Sequence, residues 1–249
     1  MKKQFDITDL KDEYLRFFEY YKSIYDEKHP YSYEKLANQY AINQIRNRAR
    51  KLYDYTNVMD AINNDFSLDE ILTLHKSCVE RMPFDTYYKC LDDFFVNAEC
   101  ILDVGCGLNP CIILKNYRNI IKYIGIDNDT RILKILNLLN KKHLNRDVVL
   151  FSNPNWNEEL NSMNLFPDIV LIQKIISNFY YGRNIVMTDK IAQIKANCFF
   201  VSGCKMSLSR NVSIMEDEIP AIEWFISRYG FKKIKYLETP SEFGWILSR

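Results

Sequence analysis

The spacing of apolar side chains changes character after residue 96. Before that point Tyr, Phe, Leu and Ile recur at helical intervals, and no glycine occurs. Residues 8–27 place such side chains on one stripe, which predicts an amphipathic helix ended by His29-Pro30. A second helix is predicted over 32–53. Residues 1–96 are therefore expected to form an all-α domain.

A capping-box signature lies further along this helical region. Ser67 is followed three residues later by Glu70. In such a pair each side chain accepts a hydrogen bond from the backbone N–H of the other residue. The signature predicts a helix from Ser67 through about Met82, ended by Pro83.

From Cys100 onward, short apolar runs alternate with helical patterns. This alternation predicts a mainly parallel sheet covered by helices on both faces. Strands are predicted near 100–104, 121–126, 147–151, 167–173, 197–202, 231–237 and 243–248, and helices over 129–141, 184–195 and 214–229, the last ended by Gly230.

Five strand–helix units closed by a hairpin are the layout of the class I S-adenosylmethionine-dependent methyltransferase fold. That fold is α/β, with a Rossmann-like seven-stranded sheet whose last strand is antiparallel. The chain is therefore expected to carry an N-terminal helical domain over 1–96 and a methyltransferase domain over 97–249.

The charge balance gives no global attraction to nucleic acid, because 33 Lys and Arg residues against 32 Asp and Glu leave a formal charge of +1. A nucleic-acid surface would have to be a local patch. One candidate patch consists of Arg46, Arg48, Arg50 and Lys51, and a second consists of Arg228, Lys232, Lys233 and Lys235.

The seven cysteines are scattered, odd in number and free of any C-x-x-C pair. This usage is typical of reduced thiols in a cytoplasmic protein. Only three histidines occur, far apart, which disfavours a metal site. No apolar run approaches the roughly 20 residues that cross a bilayer. We therefore expect a cytoplasmic protein with no metal and no membrane segment.

The loop after the first predicted strand carries the main chemical signal. Asp103 ends that strand, and Gly105 and Gly107 then allow a sharp turn with no Cβ in the way of a ligand. The third glycine of a dinucleotide-binding G-x-G-x-x-G loop is missing. Asp127 ends the next strand, where an acid can accept hydrogen bonds from both ribose hydroxyls. Together they predict an S-adenosylmethionine site.

Further cofactor contacts are expected where the neighbouring strands end, because ligands of open α/β sheets bind at the carboxyl ends of the strands. Ser152 and Asn153 follow the third strand, on the side of the adenine amine. Gln173 and Lys174 lie at the end of the fourth strand, and this end is expected to face the reacting methyl group. The remaining predicted contacts are Cys106, Asn109, Pro110 and Asn128.

The acceptor chemistry is limited by motifs that do not occur. The fourth strand lacks the Asn/Asp-Pro-Pro-aromatic motif typical of exocyclic amine methylation. Neither Cys198 nor Cys204 stands in the Pro-Cys pair expected for cytosine C5 methylation. The acceptors left are a ring nitrogen with a free lone pair or a small-molecule hydroxyl. A ring nitrogen mainly requires positioning.

Several segments, in order, resemble the Arm/Rmt (FmrO-type) group of aminoglycoside-resistance 16S rRNA (guanine-N7) methyltransferases. The similarity covers roughly 67–249. It rests on the helix that ends in Glu80-Arg81 and on Asn109-Pro110 after the second glycine. Segments 168–174, 205–209, 215–217 and 224–225 also match the family pattern.

This resemblance implies roles for particular residues. Arg81 would bind the carboxylate of the cofactor's methionine, as a guanidinium suits. Lys205, Ser207 and Arg210 would line the target side. The N-terminal helices would dock on the 30S subunit through phosphates, with Arg46, Arg48, Arg50 and Lys51 as candidates. The implied enzyme is a monomer that methylates guanine N7 in the decoding site of 16S rRNA and gives aminoglycoside resistance.

Two alternatives stay open. One is a small-molecule methyltransferase in which the helical N-terminus forms a lid over a metabolite pocket. The other is a non-catalytic RNA- or protein-binding module on the same fold. Methyl transfer to 30S subunits separates the first alternative from an rRNA enzyme. Cofactor binding separates the second, and the intact loop with Asp127 favours an enzyme.

Overall fold

The computed structural model describes residues 15, 18–19, 55–152, 156–163, 165–182, 184–206 and 212–249. The chain divides into two compact units, Met1–Asp60 and Ala61–Arg249. Among the described residues of the predicted 8–27 helix, Leu15, Phe18 and Glu19 are helical. The rest of that helix and the predicted helix over 32–53 lie outside the described residues.

Residues 61–96 belong to the second unit, although the predicted domain boundary lay between residues 96 and 97. Tyr87 and Tyr88 are each 1% exposed. The Tyr87 hydroxyl donates to Glu242 over 2.7 Å, and the Tyr88 hydroxyl donates to Gln173 over 3.0 Å. Their aromatic rings are thus buried against the sheet, which is why this helical segment does not form a separate core.

Seven strands form one sheet: β1 (Cys100–Val104), β2 (Lys122–Ile126), β3 (Asp147–Phe151), β4 (Ile169–Gln173), β5 (Cys198–Cys204), β6 (Lys232–Glu238) and β7 (Glu242–Ser248). Their order across the sheet is β3-β2-β1-β4-β5-β7-β6. Strands β1 to β5 are parallel, whereas β7 is antiparallel to both β5 and β6. The predicted seven-stranded sheet with an antiparallel last strand is confirmed.

Nine α-helices of the second unit have bounds that the described residues fix. They are α1 (Leu68–Thr73), α2 (Lys76–Val79), α3 (Asp92–Phe95), α4 (Asn109–Asn116), α5 (Thr130–Leu139), α6 (Trp156–Ser162), α7 (Ile176–Tyr181), α8 (Ile185–Ala192) and α9 (Met215–Tyr229). Gly230 ends α9 with a φ of 68°, as predicted from its place after the apolar stripe.

The helix predicted from Ser67 to Met82 is wrong in its length. It begins at the predicted capping box, where Glu70 accepts the Ser67 N–H over 2.9 Å and Ser67 accepts the Glu70 N–H over 3.4 Å. It then ends after Thr73. His75 has extended backbone angles (φ −102°, ψ 116°), which interrupt the hydrogen-bond ladder before α2 begins.

The core lies along the central strands. Every residue of β4 is buried, and in β1 Ile101 and Leu102 are fully buried. Parallel strands covered on both faces need such continuous apolar runs, since neither face meets water. Side chains of α8 and α9, including Ile191, Ile222 and Phe225, complete the same cluster. This packing fixes the strand ends that carry the candidate site.

None of the described helices is long and apolar enough to cross a membrane. Within the described ranges, no group of three or more His, Cys, Asp or Glu side chains could hold a metal ion. All seven cysteines are described, and each is a free thiol.

Candidate active site

The candidate site lies at the carboxyl ends of the parallel strands. β1 pairs with β2 on one side and with β4 on the other, so the strand order reverses at β1. The crevice beyond such a reversal is the usual ligand site of an open α/β sheet. The loop after β1 and the segments after β2 and β4 all reach this edge.

The loop after β1 is closed onto the end of β2 by backbone hydrogen bonds. The N–H groups of Gly105 and Cys106 both donate to the Ile126 carbonyl, over 2.7 and 3.0 Å. The Gly107 N–H donates to the Asp127 carboxylate over 2.9 Å. The D-x-G-x-G loop and Asp127 are therefore connected directly by hydrogen bonds.

The two loop glycines are needed for different reasons. Both have a left-handed backbone, with φ of 75° at Gly105 and 52° at Gly107. A Cβ at Gly105 would lie 3.0 Å from a side-chain carbon of Ile175, in the segment after β4. A Cβ at Gly107 would meet no atom within 4 Å. Gly105 thus packs against the protein, while Gly107 faces open space where a ligand can approach the backbone.

Asp127 is partly exposed and keeps acceptor capacity. One carboxylate oxygen accepts from Gly107, and the other accepts the Asp129 N–H over 2.9 Å. An ionised carboxylate offers about four lone-pair positions, so both oxygens can accept a further hydrogen bond. This suits the two hydroxyls of a ribose. Asn128, beside it, is exposed.

Asp103 is a fully buried carboxylate at the end of β1. Its Oδ2 accepts from the Tyr123 hydroxyl over 2.8 Å and from Asn109 over 3.3 Å. Its Oδ1 is buried and has no hydrogen-bond partner. Burial raises the pKa of Asp103 to about 7, although Tyr123 and Asn109 act in the opposite direction.

Arg81 is also buried, with 7% of its surface exposed. One terminal nitrogen donates to the Ser77 carbonyl over 2.7 Å, and the other donates to Glu242 over 3.3 Å. The remaining nitrogen, Nε, is buried without a partner. The Arg81 charge lowers the pKa of Asp103, against the larger effect of burial.

Unpartnered polar atoms concentrate at this site. Among the described residues, six buried side-chain nitrogen and oxygen atoms lack a hydrogen-bond partner, and three of them belong to Glu80, Arg81 and Asp103. Leaving such an atom unpaired costs about 1–3 kcal/mol, so it calls for an explanation. These residues belong to one contact network through Glu242, and one guanidinium donor with two carboxylate acceptors matches an amino acid zwitterion. The methionine end of S-adenosylmethionine therefore fits these residues.

The end of β4 is occupied by two polar residues with different surroundings. Gln173 is 3% exposed, accepts from Asn109 over 2.7 Å and donates to Glu242 over 3.1 Å. Asn109 and Gln173, which were predicted to contact the cofactor, are thus buried and hydrogen-bonded to each other beneath the cofactor loop's first residue, Asp103. Lys174 follows with a left-handed φ of 60°, a strained conformation for a non-glycine residue. Its ammonium lies 3.0 Å from Glu80 and 3.4 Å from Glu242.

Glu242, at the start of β7, is a central residue that sequence reasoning missed. It is fully buried, and it contacts Arg81, Lys174, Tyr87, Gln173 and Ser202. Burial by itself would raise the pKa of Glu242, but the charges of Lys174 and Arg81, together with hydrogen bonds from Ser202 and Tyr87, hold the pKa below its ordinary value. A charged residue opening an apolar strand, Glu-Phe-Gly-Trp-Ile-Leu, was the available signal.

The other predicted residues take varied positions. Cys106 and Pro110 are buried in the loop and the first turn of α4. Ser152 is exposed after β3. Lys205, after β5, donates to Glu238 over 2.6 Å and to the Thr239 carbonyl over 2.8 Å. Outside the described residues lie Asn153, Ser207, Arg210, Arg46, Arg48, Arg50 and Lys51.

No protein-family model matches this chain, and no curated protein matches it either. Solved structures do match. An rRNA methylase from Escherichia coli has 17% identity and a TM-score of 0.62, with 96% of this chain and 91% of that chain covered. The 16S rRNA methylase ArmA has 21% identity and a TM-score of 0.61, with 78% and 97% covered.

A further match is the 16S rRNA methyltransferase RmtF in complex with S-adenosyl-L-homocysteine. It has 19% identity and a TM-score of 0.60, and the match covers 98% of this chain and 93% of that chain. At these identities the comparisons show the fold. The second unit has the class I S-adenosylmethionine-dependent methyltransferase fold expected from the sequence.

Proposed function

We propose that this protein is an S-adenosylmethionine-dependent methyltransferase that acts on guanine N7 in the decoding site of 16S rRNA within the 30S subunit. The carrying observation is the glycine loop closed onto Asp127, beside unpartnered donor and acceptor atoms of Glu80, Arg81 and Asp103. Support for the target comes from the likeness to 16S rRNA methylases and from the Glu80-Arg81 and Asn109-Pro110 resemblance.

Different residues of the site would bind different groups of the cofactor. Arg81 would bind its carboxylate, while Asp103 and Glu80 would accept from its ammonium group. Asp127 would accept from the ribose hydroxyls, next to the open backbone of Gly107. Ser152, with Asn153, would lie on the adenine side.

The bound cofactor supplies an electrophilic methyl group on a sulfonium. The chain's task is then to hold the acceptor in line with that methyl, and good alignment alone can contribute several orders of magnitude in rate. Gln173 and Lys174, at the end of β4, have their polar side-chain atoms engaged by neighbours. They are therefore suited to positioning, not to removing a proton.

Guanine N7 fits these requirements. Its lone pair lies in the ring plane and is free, so no general base is needed before attack. An exocyclic amine or a hydroxyl would have to lose a proton during the reaction. Methylation at N7 adds a positive charge and a methyl group in the decoding site. Loss of aminoglycoside binding there, and hence resistance, is the expected consequence.

Contacts with the subunit are proposed at two places. Lys205, Ser207 and Arg210 would face the target nucleotide, after β5. Arg46, Arg48, Arg50 and Lys51 would contact phosphates, which position a nucleic acid without reading its sequence. The protein would act as a monomer and without a metal.

Methyl transfer to purified subunits tests this proposal. The protein is incubated with methyl-labelled S-adenosylmethionine and either 30S subunits or a mixture of small-molecule acceptors. We expect label in 16S rRNA, and its loss in Asp127→Asn. The control Asp147→Asn, an exposed residue paired with Lys122 at the opposite end of the sheet, should retain activity. Label only in small molecules would support the metabolite enzyme instead.

A further inference from the structure

We propose that Glu242 is a positioning residue, which holds Arg81 for the cofactor and Lys174 at the target edge of the same site. This inference rests on the proposed methyltransferase function. One buried carboxylate would then fix the positions of two functional cations. Glu242 touches neither the cofactor nor the acceptor, and acts through the side chains that do.

The geometry brings both cations to one carboxylate oxygen. Glu242 Oε1 lies 3.3 Å from an Arg81 terminal nitrogen and 3.4 Å from the Lys174 ammonium. The same oxygen accepts from the Tyr87 hydroxyl over 2.7 Å. The other oxygen, Oε2, accepts from Gln173 over 3.1 Å and from the Ser202 hydroxyl. Both carboxylate oxygens of Glu242 therefore have hydrogen-bond or ion-pair partners, which hold the side chain in this position.

Charge, and not only shape, is required at this position. The side chains of Arg81, Lys174 and Glu242 are 8%, 14% and 0% exposed. Two cations this close repel each other in a poorly solvated site, and removing one partner of a buried ion pair leaves the remaining charge uncompensated. A neutral residue of the same shape could keep the contacts with Tyr87 and Ser202. It would leave Arg81 without its carboxylate partner and Lys174 with Glu80 as its partner.

A hydrogen-bond chain extends the effect of Glu242 along the strand ends. Glu242 accepts from Gln173, and Gln173 accepts from Asn109. Asn109 donates to Asp103, which accepts from Tyr123. The chain runs from β7 through β4 to the cofactor loop and on to β2. The loop residues and the end of β4 are thus tied to the same carboxylate as Arg81.

The test is a double-mutant cycle on cofactor affinity. S-adenosylhomocysteine binding is measured by calorimetry for the wild type, Glu242→Gln, Arg81→Met and the double variant. We expect Glu242→Gln to weaken binding at least about tenfold, the size of one charge-assisted hydrogen bond. In the Arg81→Met background, Glu242→Gln should have a much smaller effect than in the wild type, because Glu242 acts on the cofactor mainly through Arg81.

A merely structural Glu242 gives a different pattern. Its loss and that of Arg81 would then multiply in the double variant, and this result overturns the proposal. So does affinity of Glu242→Gln within about twofold of the wild type, less than the effect of one ordinary hydrogen bond. Glu223→Gln is the matched control, since Glu223 forms an exposed ion pair with Lys233. Its affinity should be unchanged.

A second variant covers a failure of Glu242→Gln to fold. Glu242→Asp keeps the charge, so the cations stay compensated, but it withdraws the carboxylate by one carbon–carbon bond. We expect it to fold and to bind S-adenosylhomocysteine several-fold more weakly, as a displaced charge-assisted hydrogen bond requires. Unchanged affinity overturns the proposal. The wild type's activity on 30S subunits is a separate readout, so a wrong target would not alter this result.

Discussion

Gly107 in the cofactor loop can be compared with Gly230, which ends α9, to separate backbone strain from an effect on ligand binding. Gly107 and Gly230 both have a left-handed backbone, with φ of 52° and 68°. An added Cβ meets no atom within 4 Å at either position. The two glycines therefore impose the same kind of strain on a substitution, but only Gly107 lies beside Asp127.

The two alanine variants should therefore have similar stabilities but different affinities for S-adenosylhomocysteine. Gly107→Ala and Gly230→Ala are each expected to lower the free energy of unfolding by about 1–2 kcal/mol, the cost of a left-handed alanine. Only Gly107→Ala should weaken S-adenosylhomocysteine binding, by tenfold or more, as about 1.4 kcal/mol requires. Denaturant unfolding and calorimetry check both. Equal affinity of the two variants would remove Gly107 from the site.

The ionisation of Asp103 should make cofactor affinity depend on pH. Burial raises its pKa to about 7, so the folded protein holds a proton there that the unfolded chain has lost. Stability from this group is present at low pH and falls as pH rises towards 7. We expect the affinity for the cofactor to change in the opposite direction, because ionised Asp103 would attract the cofactor's ammonium group.

We therefore expect S-adenosylhomocysteine to bind several-fold more tightly at pH 8 than at pH 6, as ionisation of one buried acid implies. Asp103→Asn should bind more weakly and show a flat profile over this range. Calorimetry at a series of pH values makes the comparison. An equal pH slope in the wild type and in Asp103→Asn would assign the dependence to another group.

The arrangement of the candidate site residues was predictable where it follows from local spacing. Asp103, Gly105, Gly107 and Asp127 belong to one strand–loop–helix–strand pattern, and the structure brings them together. Glu242 lies 161 residues from Arg81 and meets it only through the pairing of β7 with β5. No spacing rule in one sequence connects such residues. The hydrogen bonds that Gln173 forms with Asn109 and Glu242 inside the protein were missed for the same reason.

Elements were predicted best where hydrophobic periodicity is strong. The strand runs and the helix ended by Gly230 agree with the structure, because burial of continuous apolar residues decides them. The helix from Ser67 was given the right start and the wrong end. Its capping box is a local hydrogen-bond pattern, whereas its interruption at His75 accompanies packing against the rest of the unit.

Lys205 lies at the start of the segment that follows β5. Lys205 anchors it to the connection between β6 and β7, through Glu238 and the Thr239 carbonyl. The Ile214 N–H also donates to the Lys205 carbonyl over 3.1 Å, which closes the base of the segment. Lys205→Met should therefore lower kcat/KM for 30S methylation about tenfold, the loss of one charge-assisted hydrogen bond.

The same substitution should leave S-adenosylhomocysteine affinity unchanged, since Lys205 is not among the proposed cofactor contacts. Lys233→Met is the matched control, because it removes an exposed lysine of β6 that pairs with Glu223 of α9. It should keep wild-type kcat/KM. Equal losses in the two lysine variants would deny Lys205 a specific role.

At the scale of the whole molecule, a charge of +1 gives no general attraction to RNA. The proposed binding to a ribosomal subunit would then depend on local clusters. The patch of Arg46, Arg48, Arg50 and Lys51 belongs to the first unit. In the second candidate patch, Lys233 and Lys235 are paired with Glu223 and Asp93, which reduces the charge they offer to phosphates.

Replacing the first patch by alanines should weaken 30S binding and leave S-adenosylhomocysteine affinity intact. The salt dependence of subunit binding should also become shallower, by about one unit of slope for each lost phosphate contact. Filter binding over a series of salt concentrations measures both. The triple variant of Lys232, Lys233 and Lys235 to Ala controls for loss of charge, and an equal effect there would contradict docking through residues 46–51.

Mapping of the modified nucleotide tests the central claim most directly. 30S subunits treated with the protein and S-adenosylmethionine are reduced with borohydride and cleaved with aniline, which breaks RNA at N7-methylguanine. Primer extension then locates the break in 16S rRNA. We predict one strong stop, at a guanine of the decoding site, that is absent with Asp127→Asn. Unbroken rRNA, together with intact S-adenosylhomocysteine binding by the same preparation, would contradict guanine N7 as the acceptor.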